Sequence, residues 1–258
     1  MIRLIAAACV LVLASNLSAA IKTRTIEYKQ GDTVLEGYLA WDDSSSAKRP
    51  AVIVVHEWWG NDAYAHKRAE MLAGLGYVGF AIDMYGKGIT TNDAAKAGEL
   101  STAVKSNVAT ANARLAAGLD TLKAQPMVDA SKMAAIGYCF GGTCVLHMAR
   151  SNMPLLGVVS FHGDLTPVAP ATAKIAPKIL VCTGADDAFV PQPAVGTFIE
   201  EMKKANADFQ VIEYSGANHS FTNPDADKHN IPNINYNKSA DTRSWQAMQD
   251  FFKELFGQ

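Results

Sequence analysis

Cys139 stands between glycines in Gly137-Tyr138-Cys139-Phe140-Gly141-Gly142, directly after an apolar stretch at residues 133–136. The spacing is that of a nucleophile elbow, a strand-to-helix turn so sharp that the residues flanking the nucleophile must be nearly free of side chains. Such a turn lifts the central side chain above the edge of the sheet, where a substrate can reach it. A thiol in that place, once ionised, is a nucleophile for covalent acyl transfer. The same residues also suit a glycine-rich turn that merely holds a small apolar cysteine. What else the chain brings to the turn decides between the two.

Three further groups follow apolar stretches in the same way. His56-Glu57-Trp58-Trp59-Gly60 comes after residues 51–55, Asp186-Asp187 after residues 178–183, and His219 after residues 209–214. The chain order is therefore nucleophile, acid, histidine, which is the order of α/β-hydrolases. In that reading His219 takes the thiol proton or stabilises the thiolate, and one of the two aspartates fixes its tautomer. Each residue alone also has a plainer role. His219 suits a surface loop, and the aspartates suit an N-cap for the helix after Pro191-Gln192-Pro193. His56 is read as a buried, hydrogen-bonded histidine. The four in this order, each after its own strand, favour the catalytic reading. Glu57 is a carboxylate between an apolar strand and two tryptophans, and burying it requires a partner. Trp58 and Trp59 wall an apolar pocket or pack the core. The backbone N–H groups of Trp58 and Phe140 are placed to form an oxyanion hole.

Positioning these residues requires a sheet. Residues 22–29 and 33–41, joined through Gln30-Gly31-Asp32, read as an antiparallel hairpin, followed by a serine-rich loop at 42–48. Strands are then expected at 51–55, 77–82, 133–136, 155–161, 178–183 and 209–214. Helices are expected at 63–75, 143–150, 194–205 and 239–256, with a long alanine-rich helical stretch at 94–122, broken once. Alternation of this kind makes an α/β fold: a mostly parallel sheet, covered by helices on both faces, with the hairpin at its start. Active sites in such sheets lie at the carboxyl ends of the strands.

The chain has 258 residues, is 49% hydrophobic and carries a net charge of −2, which suits one soluble domain over residues 21–258. No basic run points to nucleic acid, so the expected partner is a small molecule and the chain is expected to be a monomer. Residues 1–20 carry Arg3, an apolar run from Leu4 to Ala14 and the small residues Ser18-Ala19-Ala20. That is the pattern of a cleaved export signal, too short for a stable membrane span, and it leads to the periplasm in a Gram-negative cell. Cys139, Cys144 and Cys182 lie beyond it, an odd number that leaves at least one free thiol. On one helix Cys139 and Cys144 would point about 140° apart, too far round the axis to pair.

The motifs Gly137-Tyr138-Cys139-Phe140-Gly141-Gly142, His56-Glu57-Trp58-Trp59-Gly60, Gly184-Ala185-Asp186-Asp187-Ala188-Phe189-Val190-Pro191 and His219-Ser220-Phe221 together resemble the dienelactone hydrolase family. The likeness runs over nearly all of residues 22–256, including Tyr236-Asn237 and Trp245. It implies an α/β-hydrolase fold, hydrolysis of carboxylic esters or lactones, and no cofactor or metal. It implies Cys139 as nucleophile, His219 as base and, of the two aspartates, Asp187. It also implies that Glu57 assists ionisation of the thiol. Trp59, Tyr85, Lys87 and Ser220 are the substrate-binding residues it suggests. One departure concerns substrate: family members bind a carboxylate partly through an arginine after the Asp-x-Tyr strand end, where this chain reads Asp83-Met84-Tyr85-Gly86-Lys87. Lys87 supplies charge there without the planar fork of an arginine. Two other functions remain open on the same residues, a catalytically silent binding protein and a thiol redox sensor.

Overall fold

The computed structural model describes residues 21–257. The hairpin pairs β1 (Ile21–Gln30) with β2 (Thr33–Asp42) through the two-residue turn Gly31-Asp32, where Gly31 takes φ 57°. That left-handed conformation is why a glycine stands there. The strands β3 (Arg49–Val55), β4 (Val78–Ile82), β5 (Val128–Tyr138), β6 (Gly157–Phe161), β7 (Lys178–Gly184) and β8 (Phe209–Tyr214) run parallel to one another. The hairpin joins them through an antiparallel pairing of β2 with β4, giving the order β1-β2-β4-β3-β5-β6-β7-β8.

The continuous apolar strands follow from cover on both faces. Along β3, Ile53 and Val55 belong to one core layer and Val52 and Val54 to the other, all fully buried. The first layer is closed by α3 (Val108–Lys123), α4 (Phe140–Arg150) and α5 (Gln192–Lys204), the second by α1 (Ala63–Gly74) and α6 (Lys238–Phe256). Burial of so many aliphatic side chains, at about 25 cal/mol per Å² removed from water, is the main force holding the sheet rigid.

The long helical stretch is two helices. α2 (Ala94–Lys105) ends at Ser106, and the Asn107 side chain accepts from Thr110 N–H at 3.0 Å to start α3. β5 is longer than its apolar core predicts, because Arg49 pairs with Val128 before a register shift. The intervening Asp129 and Ser131 hydrogen-bond each other, and such polar residues hide a strand from an apolar-run reading. The proposed export signal lies outside the described residues. Among the described residues no helix is long and apolar enough to cross a membrane, and Cys139, Cys144 and Cys182 are all unpaired.

Candidate active site

Cys139 occupies the junction between β5 and α4 at φ 52° and ψ −115°, a conformation that L-residues rarely adopt. The glycines around it are there for space. A Cβ on Gly137 would lie 2.0 Å from the Gly141 carbonyl oxygen, and one on Gly141 would lie 2.1 Å from that of Val55. The Cys139 N–H donates to Phe161 O at 3.0 Å and to His162 Nδ1 at 3.1 Å. The residue is half-buried at the N-terminus of α4.

His219 arrives on the loop after β8, and both its backbone groups are clamped: its N–H donates to Asn233 O and its carbonyl accepts from Asn235 N–H, each at 3.1 Å. Its Nδ1 lies 2.9 Å from Asp187 Oδ2, and the imidazole lines the same cavity as Cys139. Burial by itself would push the His219 imidazole down. The Cys139 charge, the hydrogen bond to Asp187 and the Asp187 charge outweigh burial and raise it above its ordinary value. Asp187 is buried and its other oxygen accepts from Phe189 N–H at 2.8 Å, whereas Asp186 is exposed. Neither aspartate caps α5, whose N-cap is Pro191.

Glu57 is buried behind this group. Its carboxylate oxygens accept from Ser220 Oγ at 2.9 Å and Asn223 Nδ2 at 2.7 Å. Burial pushes its carboxyl up to about 7, against the lowering effect of those two hydrogen bonds. His56, as expected, is fully buried and structural: Nδ1 pairs with Glu57 O and Nε2 accepts from Met84 N–H at 3.2 Å. These bonds fix the loop after β3. Among the described residues neither the Trp58 N–H nor the Phe140 N–H has a partner in the fold, so both remain free to donate.

A cavity of about 270 Å³ opens over Cys139 and His219. Trp58, Phe140, Phe189 and Ile234 are its apolar lining, and Ser101, Lys105 and Asp164 are among its polar lining. Phe189 is 50% exposed and tilts over His219 with ring centroids 4.9 Å apart. The four side chains expected to bind substrate lie elsewhere. Lys87 is drawn to Glu27 and Glu36 on the hairpin. Trp59 turns inward and stacks on His229 at 3.9 Å. Tyr85 is buried behind Phe140 and donates its hydroxyl to Trp58 O at 3.0 Å. Ser220 is committed to Glu57. Sequence reasoning missed Lys105, Phe189, Ile234 and His162. Only His162 carried a signal, since Phe161-His162-Gly163 ends a strand as the other site residues do.

The geometry agrees with comparisons to known proteins. The model of the dienelactone hydrolase family matches residues 35–256. A putative carboxymethylenebutenolidase of Escherichia coli is 29% identical over 241 residues, covering 88% of this chain and 85% of that one. An uncharacterized protein of Caenorhabditis elegans is 39% identical over 146 residues, 55% of this chain and 92% of its own. Among solved structures, a dienelactone hydrolase-like promiscuous phosphotriesterase from metagenomic libraries superposes with a TM-score of 0.87 at 39% identity, covering 92% of this chain and 99% of that one. With an α/β-hydrolase sheet, an elbow at Cys139 and a family match over most of its length, the chain belongs to the dienelactone hydrolase family of ester and lactone hydrolases.

Proposed function

We propose that the protein hydrolyses carboxylic esters or lactones through a cysteinyl acyl-enzyme built by Cys139, His219 and Asp187. The observation that carries the reading is His219, hydrogen-bonded to Asp187 and facing the same cavity as a cysteine held at a strained elbow. Asp187 accepts a hydrogen bond from His219 Nδ1–H, which leaves Nε2 to take the proton of the thiol. The Cys139 thiolate attacks the carbonyl carbon, and the N–H groups of Trp58 and Phe140 receive the oxyanion. Collapse expels the alkoxide, which takes its proton from the His219 imidazolium. Water then attacks the thioester, His219 accepts its proton, and the carboxylate product leaves with the thiol restored. Glu57 sits close enough to the loop of His219 to tune the charge of the pair.

Lys105 supports a finer reading of substrate. It lines the cavity with no carboxylate partner among the described residues, and it stands where an anionic arm of the substrate would reach. A second activity, on phosphotriesters, is favoured by the 39% identical relative that carries that name, since the same sulfur would attack phosphorus. Residues 1–20 are proposed to direct export, and the mature chain to act as a monomer. The deciding experiment is hydrolysis of p-nitrophenyl acetate by Cys139→Ala: loss of turnover supports the reading, and wild-type turnover excludes it.

A further inference from the structure

His162, the residue after β6, takes no part in the chemistry above. It is fully buried at φ 41°, with its Nδ1 3.1 Å from the Cys139 amide nitrogen and its Nε2 2.7 Å from Thr222 Oγ1. An amide N–H can only donate, so Nδ1 must offer its lone pair and the ring proton must sit on Nε2. Thr222 Oγ1 is the acceptor for that proton. Burial first, and then the charges of His219 and Arg68, hold the His162 imidazole well below its ordinary value, so it stays neutral. Thr222 is itself held firmly. Its hydroxyl is shared with Tyr64 at 2.6 Å, and its carbonyl accepts from the buried Arg68 at 2.6 Å. Arg68 reaches on to Asp241 at 2.7 Å, which ties α1 to α6 behind the site.

We propose that Thr222 and His162 are positioning residues for the nucleophile: Thr222 fixes the tautomer of His162, and His162 in that tautomer holds the backbone amide of Cys139 in the turn that aims its sulfur at His219. The inference rests on reading Cys139 as the nucleophile. With the ring proton on Nδ1, two N–H groups would face each other across 3.1 Å and the amide would have to retreat. The second bond of that amide, to Phe161 O, keeps the turn folded, so what is lost is aim. Neither His162 nor Thr222 lines the cavity, so the loss belongs to the chemical step and not to substrate binding.

The test compares the full chain with Thr222→Val, Thr222→Ser and Cys139→Ala, using p-nitrophenyl acetate and 15N spectra of the histidine rings. Thr222→Val is expected to lower kcat by roughly 10- to 100-fold with KM unchanged, the scale of a small misplacement of a reacting group. In that variant His162 gains Nδ1–H tautomer, and Thr222→Ser restores both kcat and the Nε2–H tautomer. Thr222→Ala, read in the same way, replaces the valine variant where the added methyl impairs folding. Wild-type kcat in the hydroxyl-free variant, or equal loss in the serine and hydroxyl-free variants with the tautomer unchanged, overturns the proposal. Full activity in Cys139→Ala would instead overturn the nucleophile reading beneath it.

Discussion

A carboxyl group sealed from water keeps its proton longer than one in solvent, and Glu57 does so against Ser220 and Asn223. Folding moves it from 4.5 to about 7, so between those pH values the folded chain holds a proton that the unfolded chain releases. Its contribution to stability is therefore greatest below pH 4.5 and falls as pH rises to about 7, by up to roughly 3 kcal/mol. Glu57→Gln should remove that slope, as read by urea unfolding on both sides of the interval. A variant with the wild-type slope would show that Glu57 is not the titrating group. Lys105 makes a prediction of a different kind. Its replacement by alanine should reduce kcat/KM for carboxylated lactones by about 10- to 100-fold, the worth of one charged hydrogen bond, and leave uncharged esters unaffected. Equal loss on both classes would contradict the anionic-arm reading. At this scale strand-end spacing reaches Cys139, Glu57, His219 and the pair Asp186-Asp187, while the choice of Asp187 comes from the family resemblance. Sequence reasoning misplaced Lys87 and overlooked Lys105 because reach into a cavity depends on how α2 lies across the sheet, which spacing does not encode.

Elements set how sharply the nucleophile can be presented. At the elbow, a methyl group on Gly141 would drive into the Val55 backbone, which cannot move without breaking β3 from its neighbours. Gly141→Ala should therefore destabilise the protein by about 3 kcal/mol or more. Gly196→Ala, in α5 with nothing within 4 Å of the added methyl, should instead gain about 0.5–1 kcal/mol. Thermal unfolding of the two variants checks both signs, and a neutral Gly141→Ala would mean that the elbow is looser than its contacts indicate. The strands and helices were legible because continuous apolar runs and their alternation with helical stretches are local signals. The short 3-10 turn Ala226–His229 and the clamp of residues 233–235 on His219 were not, since both depend on tertiary contacts.

Over the whole molecule, one fold collects residues scattered from position 58 to position 234 into a single cavity, and the class of fold followed directly from strand–helix alternation. Export is a whole-chain property as well: expression in a Gram-negative host should yield periplasmic protein lacking residues 1–20, and an intact cytoplasmic chain would contradict the signal. The proposed turnover through one covalent intermediate is tested on the intact chain as well. The most direct measurement is the mass of the whole protein quenched during reaction with p-nitrophenyl acetate, followed by peptide mapping. One acetyl group on Cys139, absent from Cys139→Ala, is the expected result; turnover with Cys139 never acylated would contradict it.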